Sequence, residues 1–576
     1  MNAGKFTQTN SSFSLGVVSQ DFSGRGDLKT AAHGLSKLEN MDIISSGGIS
    51  RRAGTRVLAA NLPDDAKIIP MRLRSGDEYI IAFGDRTMRV YKDGVQQTSR
   101  TSPWSSAQLP NIQTAQLGDM MILTHPDTHP HRLLLNMVWL FGPLSFAIVD
   151  NWYREPYFKF ENSNYPFTLQ NITVPGATRQ ALLTATHDNW TPESVGSRMR
   201  FGNIEWWISE YVSPTQVKVF SNSASPAMPT GTVTDWSESV FSDRRGWPKS
   251  IALHQNRLVF GGTKSFPNFV WMSRTGDHMN FDAGTGLDNQ AVILSLLAGR
   301  PQSITSIQSG ENLEVLTDMG EWSIKGAPIT PSEALIRQHT DIGSSMDIHV
   351  PPSRVDGATI FIGRTGNELR ELRLDNLSDS YSATDLSTLS RDIMGTATGM
   401  TYHQETKRLL IVMQDGTMAV LKKDDNLEIL GWSTYKTDGE FKSVAVSKGQ
   451  VLAAVKRGSE TFMEIFDENK MTDGGANFAF EHKASAMPIF ADSAKARLAK
   501  VTKWKARLKD AGALSVKING NAAEVIPLPE TPFTGDVSVN SLGTTPNGQS
   551  PLWEIIGSEP QPLTVLSITI EGRLST

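Results

Sequence analysis

The most ordered charge pattern in this 576-residue chain is Lys503-Trp504-Lys505-Ala506-Arg507-Leu508-Lys509. Its period is two, the period of a strand. Lys503, Lys505, Arg507 and Lys509 would then share one face, with Trp504, Ala506 and Leu508 on the other. A row of four cations suits phosphates or an acidic partner. It equally suits a solvated outer face, or an edge strand that lysines guard against pairing with another chain. A helix remains open for Ser493–Lys500 just upstream. A second basic group, Arg51, Arg52 and Arg56, sits in GGISRRAGTR beside a glycine turn. It reads either as a contact surface or as ordinary surface charge, because an arginine cluster beside a Gly turn has no unique purpose.

Other chemistry-bearing residues form weaker patterns. His125, His129 and His131 lie with Asp127 in THPDTHPHR. Imidazoles and a carboxylate can ligate zinc or iron, but this spacing matches no standard signature, and two prolines mark a loop. Asp467, Asn469 and Asp473 in DENKMTDGG resemble half of a calcium loop. The Gly and the terminal bidentate Glu at proper spacing are missing, so a hairpin turn is expected. Gly24-Arg25-Gly26-Asp27 contains an Arg-Gly-Asp string of the kind that occurs by chance. There is no phosphate-binding G-x-x-x-x-G-K-[ST] loop, no G-x-S-x-G elbow and no H-E-x-x-H helix. With no Cys in the chain, disulfides, thiolate metal sites and cysteine nucleophiles are excluded. The expectation is no catalytic residue, no metal and no cofactor: not an enzyme.

The elements that must position these residues are mostly strands. Hydrophobic residues make up 39% and charged residues 20%, enough for a sizeable core. The formal net charge of −5 argues against a DNA-coating protein, which needs a strong basic excess. The N-terminal twenty residues are polar, so no signal peptide is expected. Leu133–Val149 is the one long uncharged apolar stretch. It is shorter than a membrane span, and Asn136 and Gly142-Pro143 interrupt it, so two buried strands joined by a turn are expected.

Short apolar runs punctuated by Gly, Asp or Asn recur in pairs. They fall at Glu78–Gly94, Asp119–Leu135, Asn256–Ser273, Asn312–Gly326, Ala358–Leu374, Arg408–Lys423 and Val451–Glu468. Each reads as a β-hairpin. From Asn256 they return roughly every 40–55 residues, a β-propeller blade length, with each hairpin half a blade. The rhythm breaks between Asp150 and Trp247, a Trp-rich stretch that reads as an inserted β domain. It changes again after Phe480. The fold expected is mainly β: a β-propeller with an inserted small β domain and a C-terminal β domain. Residues 1–149 would hold an N-terminal segment and the first propeller part, 150–247 the insertion, 248–480 the remaining blades and 481–576 the last domain.

Three stretches have a distinctive wording. Leu38–Arg56 carries LENM and GGISRRAGTR. Gly246–Phe281 reads GWPKSIALHQNRLVFGGTKSFPNFVWMSRTGDHMNF. Near the end stand FTGDVSV (Phe533–Val539) and PQPLTVLSITIEG (Pro560–Gly572). Together they resemble the tail tubular protein B, or tail nozzle, family of short-tailed bacteriophages. The resemblance implies a β-propeller with added β domains, assembled as a hexameric ring below the tail adaptor protein. The genome leaves through its central channel. It implies a homo-oligomer in the virion tail, put together in the bacterial host cytoplasm. Its partners would be the adaptor, tail fibre or tip proteins, and double-stranded DNA in transit. Under this reading Lys503–Lys509 meets the adaptor or a neighbouring subunit, and Arg51, Arg52 and Arg56 form a second contact. The alternative is a receptor-binding or glycan-cleaving tail protein on a propeller, hinted at by Trp206 and Trp207 with Glu205 and Glu210. As strand neighbours those two Trp would face opposite ways.

Overall fold

The computed structural model describes residues 5–22, 34–136, 145–149, 153–172, 179–202, 204–222, 231–475, 478–487, 499–540 and 551–574. The chain forms two compact units, Met1–Pro110 with Asp347–Thr576, and Asn111–Met346. Both are built almost entirely from antiparallel sheets, and the fold is mainly β, of the β-propeller type.

Each hairpin read in the sequence is the middle pair of four successive neighbours; six of these sets are four-stranded sheets, and the set around Arg408–Lys423 is one end of a ten-stranded sheet. In the first unit, blade 1 is Lys67–Arg72, Glu78–Gly84, Thr87–Lys92 and Val95–Thr101. Blade 5 is Ser353–Val355, Ala358–Ile362, Leu369–Asp375 and Ser380–Asp385. Blade 6 is Ala397–His403, Arg408–Met413, Met418–Asp424 and Ile429–Tyr435. Blade 7 takes Glu440–Ser447, Gln450–Arg457 and Glu460–Asp467 from late in the chain and Gly54–Ala59 from its start.

In the second unit, blade 2 is Gln113–Leu117, Met120–His125, Thr128–Asn136 and Ser145–Val149. The apolar stretch Leu133–Val149 thus supplies parts of two paired strands. Blade 3 is Ser250–His254, Arg257–Gly261, Phe269–Met272 and Val292–Ser295. Blade 4 is Ile304–Ser309, Leu313–Thr317, Gly320–Lys325 and Leu335–Thr340.

The second strand of each blade is buried along nearly its whole length and reads as a near-continuous apolar run, as a strand covered on both faces must. Leu410, Val412, Val420 and Tyr435 of blade 6 pack on Phe441, Ala453 and Val455 of blade 7. Ala454 and Met463 of blade 7 meet Ile68, Ile80 and Tyr91 of blade 1. In the second unit Val259, Val270 and Met272 meet Ile307, Val315 and Trp322. Outer strands lack a second cover: Val95–Thr101 is almost wholly exposed.

Between blades 2 and 3, strands from Tyr157 to Ser239 form an eight-stranded sheet. Its own core contains Phe167, Trp190, Phe201, Trp206 and Trp236.

The C-terminal sheets are not made from residues 481–576 alone, and that boundary is corrected. Thr564–Leu574 pairs with Lys5–Asn10 and with Ile49–Arg51, while Met41–Ile43 extends the same sheet. Gly16–Val17 and Gly34–Glu39 lie beside the outer strand of blade 6, and His482–Ala486, Trp553–Gly557 and Ser515–Ile518 continue from them. Early and late chain segments alternate because neither buries its apolar face by itself.

Gly16 makes the closest of these approaches. Its φ is +59°, and a Cβ built there would lie 2.1 Å from the Trp432 carbonyl oxygen. Gly16→Ala is therefore expected to lower stability by about 2–5 kcal/mol, from left-handed backbone cost and overpacking together. Gly76 also has positive φ, but open space around it, so Gly76→Ala carries only the backbone part, roughly 1–2 kcal/mol. Guanidinium unfolding followed by Trp fluorescence measures both. Equal midpoints for the two variants would contradict the close-approach account.

Candidate functional site

Strand Ala499–Ala511 has the alternation read from its sequence. Trp504, Ala506 and Leu508 are buried, Lys503 and Lys505 are half-buried, and Arg507 and Lys509 are exposed. It is not an edge strand, which corrects that reading: it runs between Thr564–Leu574 and Phe533–Asn540. Of Ser493–Lys500, where the sequence leaves a helix open, residues 493–498 lie outside the described residues, and Ala499 and Lys500 are strand.

The neighbouring strands modify the charge of this face. Lys505 Nζ lies 2.9 Å from Glu571 Oε1, and Arg507 Nε 3.0 Å from Asp536 Oδ1. Both pairs are solvated and screened, so neither adds much to stability. The Glu571 carboxyl is held below its ordinary pKa by the hydrogen bond from Lys505. Lys5, Thr7, Thr9, Ser538, Asn540, Thr569 and Arg573 occupy opposing positions in the same register. The result is a face of hydroxyls, amines and guanidinium groups with a residual positive charge.

The arginines near the N-terminus behave differently from one another. Arg56 is partly exposed and lies 3.5 Å from Asp467, so it stays available on the surface. Arg51 and Arg52 do not. Arg52 is fully buried. Its Nε donates to Asn40 Oδ1 (2.9 Å), Nη1 to the Ala53 carbonyl (2.8 Å) and Asp473 Oδ1 (2.8 Å), and Nη2 to the Lys436 carbonyl (2.9 Å) and Asp473 Oδ2 (2.7 Å). Phe480 lies 3.7 Å beneath it. Arg51 donates to the carbonyls of Met471, Phe480, Gln561 and Glu559. Burial, and then the charge of Arg52, bring its pKa down to about 10. These two side chains are internal latches, which corrects their assignment as partner contacts.

A matching latch occurs in the second unit. Arg257, from HQNRLVFGG, is 1% exposed and donates to the carbonyls of Ser273 (2.6 Å), Gln290 (2.6 Å) and Asp288 (2.7 Å). Gln255 accepts from the Ile329 amide and donates to the Gly326 carbonyl, both at 2.8 Å.

The remaining motifs hold local structure. His125 Nδ1 accepts from the Asp127 amide (3.1 Å), and His129 stacks on His131 at 4.1 Å. Among the described residues no group of three or more His, Asp or Glu side chains is placed to hold a metal ion. Asp467 accepts from the Asn469 amide (3.0 Å), a turn bond, and Asp473 is taken by Arg52. The Arg-Gly-Asp string lies outside the described residues.

In the inserted sheet Trp206 is buried against Phe201, and Trp207 stacks on Phe220 across the other face. They form no shared platform. Glu210 pairs with Lys218 (2.7 Å), and Glu205 accepts from the Tyr157 hydroxyl.

One concavity was not legible in the sequence. A cleft of about 610 Å³ in the second unit is lined by Asp127, Glu193, Asp243, Trp247, Lys249 and Lys264, with glycine and proline between them. Its walls come from five separate segments, so no local pattern announces it.

No family model matches the chain, and no curated protein matches its sequence. Similar solved structures include BamB from Moraxella catarrhalis, at 11% identity, covering 72% of this chain and 98% of that one, with a TM-score of 0.35. The RRP9 WD40 repeats match at 8% identity, covering 72% of this chain and 98% of that one, with a TM-score of 0.33.

Glu155, where the chain enters the inserted sheet, generates a pH dependence. Burial pushes its pKa up to about 7, while Arg198, 3.9 Å away, opposes the rise and Glu205 adds to it. A carboxyl whose folded pKa exceeds its unfolded value favours the fold in its protonated form. Its contribution is therefore full below about pH 4.5 and is lost as pH rises to about 7, a change of about 3 kcal/mol. Glu155→Gln is expected to unfold at nearly the wild-type temperature in acid and above it at pH 8. A difference between the two proteins that does not change with pH would refute this.

Proposed function

We propose that this protein is a structural component of a short phage tail, forming a nozzle ring below the adaptor through which the genome is ejected. The observation that carries the reading joins sequence to geometry. Of the residues that bear the family resemblance, Asn40, Arg51, Arg52 and Arg257 are buried latches between separate segments, and the exposed Gln255 ties its turn to Gly326 and Ile329. A ring that must hold its shape while a genome passes needs such cross-ties more than it needs an open polar site.

The charge distribution supports the same reading. Duplex DNA slides through a channel only if the wall does not neutralise many phosphates at once. The chain carries a formal net charge of −5. Its basic face, around Lys505 and Arg507, is solvated and charged, the kind of surface that steers a protein partner into register. In a cyclic ring the contacts are heterologous, one surface of each subunit meeting a different surface of the next. We assign Lys503, Lys505, Arg507, Lys509 and Arg56 to contact with the adaptor or a neighbouring copy, in the virion tail. The alternative, a receptor-binding or glycan-cleaving tail protein, draws support from the cleft beside Trp247.

Negative-stain imaging of the purified chain, alone and with tailless phage particles, tests the proposal. Rings with a central channel that dock at the particle vertex are expected. Lys505→Glu with Arg507→Glu is expected to weaken docking at least about tenfold, since opposed charge acts mainly on encounter and register. Monomers that ignore the particles, or that degrade surface polysaccharide, would overturn the reading.

A further inference from the structure

The cleft beside Trp247 lies where the inserted sheet rejoins blade 3. Its lining comes from the Pro126–Asp127 turn of blade 2, from Glu193, from the Gly246-Trp247-Pro248 turn and from the 263–267 turn of blade 3. These walls are fixed without a ligand. Gly246 has φ +86°, and a Cβ there would lie 2.6 Å from the Lys264 amide nitrogen. The Trp247 amide donates to the Pro126 carbonyl (3.3 Å), Lys249 to the Gly262 carbonyl (2.9 Å) and Ser265 to the Arg245 carbonyl (2.9 Å). A site already in shape loses less entropy when it binds.

The side chains are equally ordered and chemically mixed. The Trp247 indole N–H donates to Asp243 Oδ1 (2.9 Å), and the His129 ring stands edge-on to the indole at 5.7 Å. Lys249 is half-buried and forms no ion pair with a described residue. Burial holds its ammonium below the ordinary lysine pKa, and Asp318 and Asp127 only partly offset that. An anionic group beside this ammonium would restore what burial removed. Three carboxylates, Asp127, Glu193 and Asp243, line the rest of the cleft and can accept hydrogen bonds from hydroxyl groups.

Few ligand classes satisfy all of these groups. A simple anion meets Lys249 but leaves the indole bare and faces three carboxylates. A neutral sugar meets the indole through its C–H face and the carboxylates through its hydroxyls, but leaves Lys249 unpaired. A phosphodiester chain brings repeated negative charge toward the same three carboxylates. A sugar that carries one carboxylate meets the indole, Lys249 and the carboxylates together, with Lys264 as a second cation at the wall, and about 610 Å³ falls in the range of small-molecule sites.

We propose that this cleft is a binding subsite for an acidic saccharide, a uronic-acid-type unit of a polyanionic glycan. The indole of Trp247 takes the ring face, Lys249 the sugar carboxylate, and Glu193 and Asp127 the hydroxyls. The proposal goes beyond the nozzle reading and is independent of ring formation, because the whole cleft belongs to one chain.

Saturation-transfer NMR and calorimetry on the full chain, with sodium D-glucuronate, D-glucose and sodium acetate as probes, test it. Glucuronate is expected to bind with a Kd on the order of 1 mM, as its size allows, and glucose at least about tenfold more weakly. Lys249→Gln should abolish that preference, and Glu193→Gln should weaken glucuronate about threefold or more with the acid–neutral preference intact. Thermal melts verify that each variant is folded, and the two variants lie on different segments, so loss of one leaves the other decisive. No glucuronate binding on the order of 10 mM, acetate competing as well as glucuronate, or an unchanged preference in Lys249→Gln would each overturn the proposal.

Discussion

The guanidinium of Arg52 is the point on which the first unit depends. Burying a charge costs several kcal/mol unless it is paired and every polar atom finds a partner. Here all five N–H donors of the side chain are used. Two go to the carboxylate of Asp473, two to backbone carbonyls at Ala53 and Lys436, and one to Asn40. Asn40 in turn donates to the Glu481 carbonyl and accepts from the Lys436 amide. Asp473 also accepts from Thr437. The ends of blades 6 and 7, the start of the chain and the entry to the C-terminal sheets therefore share one polar knot. None of them can move without leaving a charge or an amide unpaired in a dry interior.

A second knot lies close by. Arg457 pairs with Glu464 (2.8 Å), and Glu464 also accepts from Thr55. Thr55 lies in the strand that completes blade 7, so the early segment is held by backbone pairing and side-chain charge together. In the second unit Arg257 does comparable work with carbonyls alone, fixing the loop that leads to the last strand of blade 3. Rigidity is thus built into the turns between strands.

What the sequence revealed follows from which forces are local. The middle strands of the blades were legible because burial on both faces demands uninterrupted apolar runs such as Arg408–Met413. Outer strands such as Val95–Thr101 carry no such demand and were invisible. The alternation at Lys503–Lys509 predicted the faces of its strand, because a period of two belongs to one strand. Its interior position did not show, because Glu571 and Asp536 come from distant segments. Arg52 was misjudged for the same reason: a basic residue beside a turn reads as surface until Asp473, far along the chain, folds over it. The Trp247 cleft was hidden because five segments from different parts of the chain compose it.

The most direct measurement is hydrogen exchange by mass spectrometry on full-length Asp473→Asn beside the wild type. Removing one partner of a buried pair costs about 3–5 kcal/mol. If Arg52 is the shared tie, protection falls together in residues 34–43, 429–436 and 482–486, while blade 4 is unchanged. Loss confined to the residues next to position 473, or no loss at all, would contradict the account.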